Sequence, residues 1–305
     1  MKKIDGIIIP AATPFDADGT LRLDWLRENY RIWNKSGVAG VMALGSNGEF
    51  RALSDDESFE VIRAASEIIS PEKVFIAGIG RESLFQTLAF LKRLEDADLR
   101  IDYVSVLTPC YFRGLMTDEA MIDYYTAVAD ASRYPVLIYC APSFANDVKV
   151  SPAALRVLAD HPNIAGVKDT TPDQMPAYVE MAGGRDDFMI IAGKLSNIMY
   201  CLEHGGPGGI ISSSNYFPNA CARLIEILHR DGMDAAKAYY EKLSELGSKT
   251  GGRAGVAGMK AVMNLTGKKG GYPRRPVLPV KESVLREIRA YIAAHQDLVE
   301  ADFEK

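Results

Sequence analysis

The chain has 305 residues, 48% hydrophobic and 25% charged, which excludes collagenous, coiled-coil and disordered classes and is enough for one large core or a barrel with an appendage. Its formal net charge of −5 provides no basic face for a phosphate backbone, so nucleic acid is not an expected partner. No apolar run approaches the roughly 20 residues of a membrane span, and no membrane association is expected.

Met1-Lys-Lys has the basic residues of a signal peptide, but the apolar run after it is only a few residues long before Pro10. Residues 7–9 read instead as a first buried strand. Further short apolar runs follow, giving eight candidate strands at 6–9, 38–44, 74–79, 103–107, 136–139, 164–167, 188–191 and 209–212. Each is followed by polar or Gly-rich residues and then a segment of helical period. Independent start signals support the helices between them. Ser54-Asp-Asp-Glu57 reads as a capping box, and Ser151-Pro152 and Thr171-Pro172 each place a capping hydroxyl before a proline at the first helical position.

Strands alternating with helices imply parallel crossovers, and a closed barrel leaves no sheet edge. The expected fold is therefore α/β, a (β/α)8 TIM barrel over residues 1–231, with a C-terminal helical appendage over 232–305. Helices are expected there at 233–249, 256–265 and 280–294. Lys268, Lys269, Arg274 and Arg275 fall in a Gly/Pro-rich stretch and read as a solvated loop. An open doubly wound sheet is the rival, but Gly78-Ile-Gly80 lacks the third glycine of a dinucleotide fingerprint and no Walker A sequence occurs.

Chemistry in such a barrel belongs at the C-terminal ends of strands. Lys168 ends the sixth run, and strand alternation places it on the same face as Gly166. If that face is the interior, burial lowers the lysine pKa and frees a neutral amine that can attack a ketone carbonyl. A solvated rim lysine paired with Asp169 is the alternative, and the commoner fate of a lysine at a strand end.

Tyr139 ends the neighbouring fifth run, where a phenol can shuttle protons or simply pack its ring and donate one hydrogen bond. After the second run, Gly45-Ser-Asn-Gly48 allows backbone amides to converge on a carboxylate, although as a lone motif it is more often simple turn chemistry. The four histidines (His161, His204, His229, His295) end no strand, which disfavours a metal-dependent route. Cys110, Cys140, Cys201 and Cys221 lack zinc-ligand or thioredoxin spacing and fit free thiols in a reducing, cytoplasmic compartment.

Together, Gly45-Ser-Asn-Gly-Glu49, Tyr139-Cys-Ala-Pro-Ser143 and Gly166-Val-Lys-Asp-Thr170 resemble the carboxylate loop, tyrosine segment and Schiff-base segment of the dihydrodipicolinate synthase and N-acetylneuraminate lyase superfamily of pyruvate-dependent class I aldolases. The resemblance runs over essentially the whole chain. It implies a lyase acting on pyruvate and an aldehyde, without metal or organic cofactor, commonly as a homotetramer or else a homodimer. It implies Lys168 as the iminium-forming residue, Tyr139 as proton shuttle, Ser46 as hydroxyl relay, and Asn47 as holder of the carboxylate through its backbone amide. Gly193 and Ile210 match pocket-lining positions, Thr170 belongs to the Schiff-base segment, and Tyr111 matches a tyrosine that reaches into a neighbouring subunit's site.

The sequence departs from dihydrodipicolinate synthases at informative places. Phe144 stands where they carry an arginine for the aldehyde partner's carboxylate, and can instead line a pocket for an apolar or aromatic aldehyde. Ser46-Asn47 replaces their Thr-Thr, while Cys110 and Gln86 replace a tyrosine and a glutamate of their lysine feedback site. The Gly-Ser-Asn-Gly-Glu loop is similar to that of 4-hydroxy-2-oxoglutarate aldolases. Cleavage of 4-hydroxy-2-oxoglutarate or of a 2-keto-3-deoxy sugar acid is therefore the first expectation, and 4-hydroxy-tetrahydrodipicolinate synthesis the second. Two other classes stay open: a non-catalytic 2-oxo-acid-binding barrel, and a phosphate-binding barrel using Gly205-Gly-Pro-Gly-Gly209.

Overall fold

A computed structural model describes residues 2–171 and 173–303. The eight strands are β1 (Gly6–Pro10), β2 (Gly40–Ala43), β3 (Val74–Gly78), β4 (Tyr103–Leu107), β5 (Val136–Cys140), β6 (Ile164–Asp169), β7 (Met189–Ala192) and β8 (Gly208–Ile210). They follow one another in chain order around a closed, parallel barrel. Nearly every strand residue is buried, as expected of strands covered on both faces, which explains why they read as continuous apolar runs.

The helices that cross between strands are α1 (Leu23–Asn34), α2 (Asp55–Ile68), α3 (Leu84–Asp96), α4 (Asp118–Ala131), α5 (Pro152–Leu158), α6 (Met175–Ala182) and α7 (Leu195–Glu203). After β8 come α8 (Pro218–Asp231), α9 (Met233–Lys249), α10 (Gly255–Leu265), α11 (Glu282–Ala294) and the short α12 (Gln296–Val299). The capping box forms as expected: Ser54 Oγ accepts from the Glu57 N–H at 3.1 Å while the Glu57 carboxylate accepts from the Ser54 N–H at 2.9 Å. Ser151 likewise caps α5 through the Ala154 N–H.

The expected helix start at Thr171-Pro172 needs correction. Pro172 lies outside the described residues, and α6 begins at Met175, with Pro176 in its first turn and Gln174 as its N-cap. Thr171 Oγ1 accepts from the Gln174 N–H at 3.1 Å, so the hydroxyl shapes the approach to the helix without capping it.

The chain divides into two compact units, one of Phe75–Ile210 with the residues ahead of Gly6, the other of Gly6–Val74 with the chain from Ile211 onward. Within the first, β4, β5, β6 and β7 pair side by side; the β5–β6 register shifts by one residue between Val136 and Leu137, after which Tyr139 stands opposite Lys168 and Lys168 opposite Ile191. Within the second, Ile8, Ile9 and Pro10 of β1 pair with Gly40, Val41 and Met42 of β2. There α1 buries Leu26, Tyr30 and Trp33, and the Trp33 indole donates to the Asn215 carbonyl at 3.3 Å.

The cationic stretch 268–275 is only in part the solvated loop expected from its composition: Arg275 is exposed and Lys269 half-exposed, whereas Lys268 and Arg274 are withdrawn from solvent. Lys268 is buried and donates to the Thr266 and Asp302 carbonyls. Arg274 donates to the carbonyls of Gly19 and Ala52 and forks onto the Glu57 carboxylate. These long side chains bury their stems and spend their donors on carbonyls, which composition alone does not reveal.

Candidate active site

Lys168 stands in the last turn of pleat of β6, 2% exposed, on the face it shares with Gly166. Its neighbour Asp169 points the other way: that carboxylate accepts from the Thr171 N–H at 2.9 Å and the Thr171 hydroxyl at 3.0 Å. The solvated-rim alternative, with Asp169 as partner, is therefore set aside. Burial makes the ammonium form costly and lowers the Lys168 pKa to about 7. At neutral pH a substantial fraction of this amine is uncharged and nucleophilic.

Tyr139, opposite Lys168 in the β5–β6 ladder, is also buried, and the lysine nitrogen lies 3.9 Å from the centroid of its ring. The ring fixes the amine without presenting a carboxylate that would hold it protonated. Thr170 turns its hydroxyl onto the Cys140 carbonyl at 3.2 Å, alongside its own N–H at 3.0 Å, tying the ends of β5 and β6 together.

Gly193 follows β7 and donates its N–H to the Asp169 carbonyl. A Cβ at Gly193 would lie 2.4 Å from Thr170 Cγ2 and 2.7 Å from the Asp169 carbonyl oxygen, so only glycine lets β6 and β7 approach this closely. Ile210, at the end of β8, is buried. Phe144 and Tyr111 are the opposite, 57% and 77% exposed. Phe144 ends a 3-10 turn after β5, and Tyr111 meets Phe112 edge to face in the loop after β4.

Glu82 holds that last loop, and sequence reasoning missed it. Its carboxylate accepts from the Cys110 and Tyr111 N–H groups at 2.9 and 3.0 Å. An acidic residue two positions after Gly80, close behind the end of β3, is the only signal the sequence carries for it.

The Ser46–Asn47 loop belongs to the second unit. Ser46–Gly48 form a single 3-10 turn after β2, whose bonds run from the Gly48 and Glu49 N–H groups to the Gly45 and Ser46 carbonyls. The Asn47 N–H stands outside that ladder. The left-handed conformations beside this turn fall not on its glycines but on Leu44 (φ 58°) and Glu49 (φ 51°). Such residues cost on the order of 1–3 kcal/mol each and gather at functional sites.

Two other expectations can be placed. Gly205-Gly-Pro-Gly-Gly209 leads into β8 and so lies at that strand's N-terminal end, whereas phosphate sites of barrels use loops at C-terminal ends. The phosphate reading fails on that ground. All four cysteines are buried free thiols. Among the described residues no group of three or more His, Cys, Asp or Glu side chains gathers as metal ligands would, and no helix is long and apolar enough to cross a membrane.

A closed parallel barrel with a desolvated amine at a strand end defines a class, the (β/α)8-barrel enzymes. Residues 3–295 match the model of the dihydrodipicolinate synthetase family, and the chain belongs to that family as one of its lyases. A 4-hydroxy-tetrahydrodipicolinate synthase of Xanthomonas campestris is 33% identical over 279 residues, covering 91% of this chain and 90% of that protein. A probable mitochondrial 4-hydroxy-2-oxoglutarate aldolase of Emericella nidulans is 28% identical, covering 98% and 96%. Among solved structures, a prophage protein of the dihydrodipicolinic acid synthase family from E. coli K12, in complex with pyruvate, superposes with a TM-score of 0.88 at 25% identity, covering 97% and 99%.

Proposed function

We propose that this lyase forms a Schiff base between Lys168 and pyruvate, and makes or breaks a carbon–carbon bond between pyruvate and an aldehyde. The observation that carries the reading is the Lys168 amine, buried, held near pKa 7 and seated over the Tyr139 ring. The neutral amine adds to the ketone carbon of pyruvate, and the carbinolamine loses water to give a protonated imine. That imine withdraws electrons from the adjacent methyl, which loses a proton to become an enamine nucleophile. In the cleavage direction the same imine accepts the electron pair released as the aldehyde departs.

Tyr139 is proposed to carry protons in the addition and dehydration steps, with Ser46 as hydroxyl relay and the Asn47 N–H on the substrate carboxylate. Gly193 and Ile210 line the pyruvate end, with Thr170 fixing the strand termini. Phe144 is proposed for the aldehyde side, and Tyr111 for the reach into a neighbouring subunit's site that the resemblance implies. The imine is itself the electron sink, so no metal or organic cofactor is needed. A cytoplasmic homotetramer, or a homodimer, fits the family.

For the aldehyde half, the favoured substrates are 4-hydroxy-2-oxoglutarate or a 2-keto-3-deoxy sugar acid. The supports are Ser46-Asn47 in the loop and the aldolase name of the Emericella relative, with the uncharged Phe144 fitting the sugar acid, whose aldehyde half bears no carboxylate. The name of the Xanthomonas relative favours a second reading, 4-hydroxy-tetrahydrodipicolinate synthesis. Pyruvate release from a panel of 4-hydroxy-2-oxo acids tests the choice. Release from one of them that is lost in Lys168→Ala is the expected result. Failure on every cleavage substrate, with condensation of pyruvate and aspartate semialdehyde instead, would transfer the assignment to the second reading.

A further inference from the structure

Glu49 lies directly after the Ser46–Gly48 turn, 7% exposed in its side chain and in a left-handed conformation. One carboxylate oxygen meets the ammonium of Lys260, whose side chain is fully buried in α10, and the other accepts from the Arg274 N–H at 2.9 Å. Lys260 also donates to the Tyr272 carbonyl at 2.8 Å, and its nitrogen lies 4.4 Å from the Phe15 ring centroid. The turn's other flank is held from the same strap, because Arg274 donates to the Ala52 carbonyl at 2.6 Å and pairs with Glu57 at the start of α2.

A buried ion pair is poor stabilisation, since desolvating two charges offsets their attraction, and a strained φ on a non-glycine residue adds a further cost. What such a pair provides is a single geometry: the carboxylate has two fixed donors, and the backbone leading to it has one way to reach them. We infer that Glu49 is a positioning residue, set by Lys260 and the Arg274 backbone, that aims the Ser46–Asn47 turn at the carboxylate of the 2-oxo acid substrate. This inference rests on the Schiff-base reading above, and it assigns residues of the C-terminal region a part in substrate binding that none of the recognised motifs contains.

The test is borohydride trapping of pyruvate at Lys168, followed as a function of pyruvate concentration in the full-length protein. Glu49→Gln keeps the shape and the acceptor for the Arg274 N–H but removes the charge that holds Lys260. The expected result is a rise of roughly tenfold or more in the half-saturating pyruvate concentration. Trapping at saturating pyruvate, and its pH midpoint, should stay near the unsubstituted values. Glu49→Asp, which keeps the charge, should recover part of the loss. The double variant Glu49→Gln/Lys260→Met leaves no uncompensated charge and should fold, with the same weakened pyruvate dependence. Asp302→Asn, which weakens the acceptor for the Asn219 and Ala220 N–H groups outside this network, serves as the structural comparison, lowering the melting temperature without moving the pyruvate dependence.

A folded Glu49→Gln protein with pyruvate dependence within twofold of the unsubstituted chain would overturn the inference alone. Loss of the fold in both the single and the double variant would also overturn it, assigning the pair to the core. No adduct in the unsubstituted protein would overturn the Schiff-base reading and this inference together.

Discussion

Lys168 and Tyr139 are direct partners across the β5–β6 ladder, with the lysine nitrogen 3.9 Å from the centre of the phenol ring. The pairing gives the amine a fixed position and an apolar wall at once. Replacing the hydroxyl alone should then separate the two roles proposed for Tyr139. Tyr139→Phe is expected to keep the ring contact and still form the reduced adduct, while steady-state turnover falls by about 10²–10⁴-fold, the usual contribution of a positioned proton donor. An unchanged kcat would remove Tyr139 from the proton path.

The pH dependence of imine formation follows from the direction of the Lys168 shift. A lysine at its ordinary pKa of about 10.4 is almost fully protonated at pH 7, whereas one lowered to about 7 is protonated below that pH and neutral above it. Trapping at saturating pyruvate should therefore rise as pH increases through about 7 and level off well before pH 9. A rise that continues toward pH 10 would mean that the amine is not desolvated in solution.

The same shift has a stability consequence of opposite sign. The folded chain binds the Lys168 proton less tightly than the unfolded chain does, so the burial penalty is full below pH 7, shrinks between about 7 and 10.5, and vanishes above. Lys168→Met, an apolar side chain of similar length, should raise stability at pH 7 by roughly a few kcal/mol, and the gain should fade as pH approaches 10. Chemical denaturation of both proteins at several pH values measures it, and a pH-independent difference would contradict it.

Gly193→Ala tests the close approach of β6 and β7. The new methyl meets Thr170 Cγ2 and the Asp169 carbonyl well inside contact distance, and these two residues directly follow Lys168 in sequence. Overpacking of this kind costs typically about 1–3 kcal/mol. A lowered melting temperature together with slower trapping is expected, and wild-type values for both would show that the strand ends yield easily.

Much of this was legible because it is local. The run at 103–107 coincides with β4, the helix expected at 233–249 with α9, and the capping box at Ser54 with its two reciprocal bonds. Lys168 was legible only in part, since pleat alternation put it on one face with Gly166 but did not say whether that face was the interior. The failures share the opposite cause. Glu49 and Arg274 are 225 positions apart, and nothing near either residue announces the bond between them. The 268–275 stretch looked solvated because its charges were counted without their carbonyl partners, and Gly205–Gly209 looked like a phosphate cradle because composition does not say which end of a strand a loop joins.

Phe144 decides the aldehyde half of the proposal. Its side chain is 57% exposed at the end of the turn after β5, free of any charge that would draw a second carboxylate. Phe144→Arg should raise kcat/KM for a carboxylate-bearing aldehyde relative to an uncharged one by roughly tenfold, the effect of about 1.4 kcal/mol. An unchanged ratio would place Phe144 outside the aldehyde subsite.

The most direct test of the central claim is borohydride reduction in the presence of pyruvate, followed by peptide mass mapping. The account predicts one pyruvate-derived adduct per chain, on the peptide containing Lys168, absent without pyruvate and absent from Lys168→Ala. No adduct, or an adduct on another lysine that persists in Lys168→Ala, would contradict it.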